Sequence, residues 1–127
     1  MMVAGFGCRK GASLDDLTEA FLLAVAHCGV DRAEIEALAT PAEKQGEPAL
    51  KALAAELLLP LIPVEADILP EASARTLSHS DRVVALKGVP SVAETAALAA
   101  AGPNSRLLAP KVSSRSATCA IAIGGAS

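Results

Sequence analysis

The chain has 127 residues, the size of a single domain spanning 1–127, with a formal net charge of −3 and a pI of about 5.3. Apolar residues make up 52% of it, but aromatics only 2%, so a packed core is expected while platforms for stacking nucleic-acid bases are missing. The acidic balance gives no global field for nucleic acid. No apolar run approaches the roughly 18 residues of a membrane span, and a signal peptide is not expected. The expected setting is cytoplasmic.

The elements follow in chain order. Met2–Phe6 is short, apolar and followed by glycine, which predicts a first strand. Ser13 opens a helix, with Asp16 three residues on as in a capping box and Asp15 beside it. Leu17, Phe21, Ala24, Val25 and Cys28 then recur at helical spacing, and Gly29 supplies the stop. A second strand is predicted over Ile35–Ala39. Thr40, Pro41 and Glu43 read as a helix start. The stretch Lys44 to Glu47 interrupts it, and the amphipathic body follows Pro48, with Leu50, Leu53, Ala54, Leu57 and Leu58 on one face.

Leu61–Val64, bounded by Pro60 and containing Pro63, is a third, short strand. Residues 65–80 carry no clear pattern beyond a helical turn at Ala66–Leu69. Asp81 to Lys87 reads as a short helix capped at Ser80, or as a strand over Val83–Leu86. Ser91 to Glu94, S-V-A-E, has the full capping-box form and leads an alanine-rich helix stopped by Gly102-Pro103. Leu107–Ala109 and Ala117–Ile123 close the chain as two strands joined by the polar Ser113–Ser116 turn. Strands alternating with helices imply a three-layer α/β/α fold on a mixed but mainly parallel sheet of about five strands.

In such sheets ligands bind beyond the carboxyl ends of the parallel strands. That edge gathers G-F-G-C-R-K-G at 5–11, T-P-A-E-K-Q-G-E at 40–47 and K-G-V-P-S-V-A-E at 87–94. Helix starts there aim free backbone N–H groups at one crevice, which favours an anion. Gly5, Gly7, Cys8, Arg9, Lys10, Gly11, Ser13, Thr40, Lys44, Ser91, Glu94 and Lys111 are the candidate binding residues, with Lys87 a further cation. Phe6, Val89 and Val92 would offer apolar surface. The expected ligand carries carboxylates or phosphates.

Competing readings are specific. The three glycines can serve the turn alone. G-F-G-C-R-K-G lacks the G-x-G-x-x-G spacing, and Lys10 is followed by Gly11-Ala12 rather than Ser or Thr, so no nucleotide motif is present. Cys8 stands beside cations and a helix start, both of which lower a thiol pKa. It lacks an obvious base, because the only histidines are His27, far down the first helix, and His79. Glu94 is accounted for by capping, and Lys44 is an ordinary surface lysine unless the edge recruits it. Three cysteines without C-x-x-C spacing exclude a disulfide scaffold and a zinc ribbon. Cys28 and Cys119 are expected in the core. No metal site or cofactor is predicted.

Taken together, G-F-G-C-R-K-G at 5–11, A-T-P-A-E-K-Q-G-E at 39–47, G-V-P-S-V-A-E-T-A-A-L at 88–98, L-L-A-P-K at 107–111 and T-C-A-I-A at 118–122 resemble the CobE/CbiG C-terminal domain family of cobalamin biosynthesis. The resemblance covers nearly the whole chain in the right order. It implies a three-layer α/β/α domain and a role in building the corrin ring. CbiG-type proteins open the lactone of cobalt-precorrin-5A and release acetaldehyde. A corrin precursor is an apolar disc ringed by acetate and propionate arms. The favoured expectation is therefore an accessory or carrier protein that binds a corrinoid intermediate. A hydrolase of the precorrin lactone or acyl group, using Cys8, Lys44 or Glu94, is a second expectation. A docking domain for other enzymes of the pathway is a third.

Overall fold

A computed structural model describes residues 1–44, 46–64, 92–102 and 104–124, apart from the side chain of Glu43. The expected turn at 66–69, the 81–87 element, Lys87, Val89, His79 and Ser91 lie outside the described residues. Strand β1 (Met2–Cys8) leads through a short loop to helix α1 (Leu14–Cys28). Ser13 caps α1 by accepting the Asp16 N–H at 3.1 Å, and Gly29 ends it in the left-handed region at φ 68°. Asp16 does not close the reciprocal half of the capping box; its carboxylate is taken up by Ser116 instead.

A 3-10 turn (Arg32–Glu34) precedes β2 (Ala37–Pro41). This strand starts two residues later than its apolar run suggests and continues through Thr40 and Pro41. Thr40 is therefore not a helix cap. Its buried hydroxyl donates to the Phe6 carbonyl at 3.2 Å, tying β2 to β1. A 3-10 turn (Ala42–Lys44) then leads to α2 (Pro48–Leu57), with Pro48 in its first turn and Leu58 ending it at φ 57°. Strand β3 (Leu61–Val64) follows as expected.

Beyond the undescribed stretch come α3 (Val92–Ala101), β4 (Arg106–Leu107), β5 (Val112–Ser113) and β6 (Ala117–Ile123). The expected strand at Leu107–Ala109 is thus a two-residue strand one position earlier, with a second short strand after it. The described sheet is mixed, as expected, and has six strands where about five were expected, in the order β3-β2-β1-β6-β4, with β5 also on β6. β1 and β2, and β2 and β3, pair parallel. β6 pairs antiparallel with β1 and with both short strands, so it alone runs against the rest.

The pleat of β1 separates two cores. Ala4 and Phe6 face α1 and α2, where the Phe6 and Phe21 rings stack with centroids 6.4 Å apart. On the other face α3 lies directly on the backbone of β1. A Cβ on Gly5 would overlap the Ala93 carbonyl and come within 2.5 Å of the Ala97 nitrogen. Small residues on α3 and β6, Ala93, Ala97, Ala120 and Ala122, complete this close packing. Dispersion between backbones at such range needs no large side chains, which explains how an alanine-rich chain fills a core.

Candidate functional site at the carboxyl edge of the parallel strands

Helix α3 runs antiparallel to β1. Gly7 neighbours Val92 at its start, Gly5 neighbours Ala93 and Ala97, and Gly124 neighbours Ala101 at its end. The start of α3 therefore stands over the same edge as the loops that open α1 and α2. Three helix N-termini converge there, as the alternation of elements implies.

The β1–α1 loop is pinned from both sides. Arg9 N–H donates to the Ser116 carbonyl at 3.0 Å, and Ala12 N–H closes a turn on the Arg9 carbonyl at 3.0 Å. Gly11 takes the third position of that turn at φ 78°, the conformation a type II turn requires there. Its N–H donates to Glu47 Oε2 at 3.3 Å, bridging to the start of α2.

Across from this loop stands the turn between β5 and β6. Ser114 Oγ donates to the Asp16 carbonyl at 2.7 Å, and Ser116 Oγ donates to Asp16 Oδ2. Thr118 Oγ1 donates to the Gly7 carbonyl at 3.3 Å. Between the two segments is a cleft of about 320 Å³ lined by Gly7, Cys8, Arg9 and residues 113–118, Arg115 among them. Among the described residues no carboxylate forms an ion pair with Arg9 or Arg115.

The candidate residues divide accordingly. Gly7, Cys8 and Arg9 line the cleft; exposed Lys10 and Gly11 belong to the same loop. Lys44 is close enough to act on Cys8 electrostatically. Lys111 is drawn to this edge by its backbone N–H, which donates to Glu94 Oε2 at 2.9 Å. Glu94 is fully buried. Ser13 is occupied as the cap of α1. Gly5 is covered by α3, and Thr40 is buried between strands, so neither reaches the cleft. Phe6 is buried against Phe21 and offers the edge no apolar surface, whereas Val92 is half-buried beside Gly7.

Cys8 departs from its expected electrostatics. Burial pushes the thiol pKa up, Glu47 pushes it further, and Lys44 pulls it down without reversing the balance. The sequence shows two neighbouring cations; the structure adds a carboxylate and a half-buried sulfur. His27 is exposed in the last turn of α1, at the opposite end from the cleft. Cys28 packs partly against the core and Cys119 fully within it. No group of three metal-ligating side chains occurs among the described residues.

The residues missed by sequence reading are Ser113, Ser114, Arg115, Ser116 and Thr118. They carry one usable signal, an arginine flanked by serines in S-S-R-S. What places them at the site is the antiparallel pairing of β6 with β1, from Met2↔Ile123 to Cys8↔Ala117.

Fold and edge define an α/β/α protein with a cation-bearing cleft at the carboxyl ends of its parallel strands. The chain belongs to the Cobalamin synthesis G C-terminus family, which it matches over residues 2–122. It is 31% identical over 121 residues to the protein CobE of a Sinorhizobium species, covering 95% of this chain and 79% of that protein. The crystal structure of CobE, a protein from the cobalamin (vitamin B12) biosynthetic pathway, superposes with a TM-score of 0.88 at 36% identity, over 96% of this chain and 89% of that one. The cobalamin biosynthesis protein chiG from Agrobacterium tumefaciens gives 0.79 at 38% identity, over 99% and 100%. Described helices long and apolar enough to cross a membrane are absent.

Proposed function

We propose that this chain binds a carboxylate-rich corrin-ring intermediate of cobalamin biosynthesis and serves as an accessory or carrier protein. The observation that carries this reading is the concentration of Arg9, Lys44 and Arg115 around one cleft edge in a chain whose net charge is −3. A local cationic edge in an acidic protein suits a ligand with several carboxylates. Half-buried Val92 offers apolar contact for the ring. Each exposed cation or helix-end contact contributes about 0.3–1 kcal/mol, so affinity depends on several arms being held at once.

Binding is favoured over hydrolysis by the state of Cys8. A thiol pushed above its ordinary pKa is protonated at neutral pH and is a weak nucleophile. Glu94 accepts the backbone N–H of Lys111 from a buried position, as a structural carboxylate does.

Absorbance titration with free-acid corrin precursors tests the reading. The wild type is expected to bind one of them, and Arg9→Ala/Lys10→Ala together to weaken that binding by about 5- to 30-fold, equivalent to 1–2 kcal/mol. Equal affinity in the variant would remove the cationic loop from the site. No binding across the precursors, with capture of another pathway enzyme, would turn the reading to protein docking.

A further inference from the structure

The cleft between the end of β1 and the β5–β6 turn holds a more specific message. At about 320 Å³ it sits at the lower end of ligand pockets, about 300–1,000 Å³, too small for a tetrapyrrole macrocycle with its substituents. A corrin could place no more than an arm in it, with the ring lying across the edge outside.

Two features decide which arm. The residues on either side of Arg115 are both tied to Asp16: Ser114 through the backbone carbonyl at 2.7 Å and Ser116 through the carboxylate. Arg9 is joined to the same turn through its N–H on the Ser116 carbonyl. Both arginines thus project from backbone that is held before any ligand arrives, which reduces the ordering cost of binding. Moreover, the hydroxyl protons of Ser114, Ser116 and Thr118 are committed to protein acceptors. These hydroxyls have no proton left to give an anion, which leaves the exposed Ser113 hydroxyl and the two guanidinium groups among the lining side chains; only the guanidiniums carry charge and match a carboxylate with paired N–H bonds.

We propose that this cleft is a subsite for one ionised acetate or propionate arm, with Arg115 and Arg9 as its donors. The proposal rests on the corrinoid-binding reading and adds a preference for the acid over the amide form of that arm. A primary amide lacks the charge that two unpaired arginines favour.

The test compares cobyrinic acid, a corrin with free carboxylate arms, with its fully amidated counterpart, by absorbance titration of the full chain. The wild type is expected to bind the acid about tenfold or more tightly than the amide, the range for a hydrogen bond between charged groups. Arg115→Ala should lower that ratio by about fivefold, equivalent to about 1 kcal/mol, with an unchanged melting temperature, since the side chain is exposed, and Arg9 keeps the remainder. Arg115→Lys should lower the ratio less, keeping the charge but losing the planar fork. An undiminished acid preference in Arg115→Ala would overturn the subsite and leave corrinoid binding standing. Failure of the wild type to bind either corrin would overturn the subsite, and failure across the free-acid precursors as well would overturn the corrinoid-binding reading with it.

Discussion

Gly5 and Gly11 belong to one short stretch, yet a methyl group would harm them for different reasons. At Gly5 it meets the backbone of α3, which cannot yield without lifting the helix from β1. Gly5→Ala is expected to cost about 3 kcal/mol or more, at the upper end of overpacking. Gly11 has open space around its Cβ position but a φ of 78°. Gly11→Ala should cost only about 1–2 kcal/mol, the left-handed penalty of an L-residue. Urea unfolding of the two variants would separate them, and equal losses would contradict this assignment of roles. Cys8 offers a second measurement. Its alkylation, followed at that residue by mass spectrometry, should be slow at neutral pH and rise only above the ordinary thiol range. Glu47→Gln removes the charge that raises the pKa and should accelerate it; Lys44→Ala should slow it further.

At the scale of elements, α2 ends in an unusual way. Leu58 occupies the left-handed position with its side chain 89% exposed, where most helices place glycine. Leu58→Gly removes a strain of about 1–2 kcal/mol and costs about 0.5–1 kcal/mol of chain entropy. A modest rise in the urea midpoint is expected, and a fall would show that Leu58 makes contacts its exposure conceals. This element also shows what local signals can and cannot say. The helix body after Pro48 was legible because proline, spacing and the interruption at 44–47 are all local. So were the bounds of α1, β3 and β6, set by Ser13, Gly29, Pro60 and a continuous apolar run. Thr40 misled because a hydroxyl before proline suits a cap as well as a strand; its real partner, the Phe6 carbonyl, lies 34 residues away. Arg115 was invisible for the same reason, since its turn reaches Arg9 only through strand pairing and the Asp16 contacts.

Across the whole molecule, charge and burial act at different pH and salt. The proposed corrinoid binding through exposed cations should weaken as salt rises and the screening length falls from about 10 Å at 0.1 M to about 3 Å at 1 M. Stability has its own alkaline limit. Cys119 is completely buried and its pKa is raised well above the ordinary value by desolvation, with Cys28 adding repulsion. A raised folded pKa means that its contribution is complete below the unfolded thiol value and is lost as pH climbs from there towards the folded value. The melting temperature should therefore decline above about pH 8.5, and Cys119→Ala should flatten part of that decline.

The reversed direction of β6 also sets a timetable. All seven residues of β1, near the start of the chain, pair with β6, whose first residue is Ala117. Until Ala117 to Ile123 emerge from the ribosome, β1 has one side without its native neighbour, and neither β4 nor β5 has a strand to join. Closing the sheet must join segments separated by more than a hundred residues, and such long-range pairing is slow. Native structure should therefore arise only once synthesis has passed residue 123. Nascent chains stalled before residue 117 are expected to be sensitive to protease along β1, and chains extended past 123 by an exit-tunnel length of linker to become resistant.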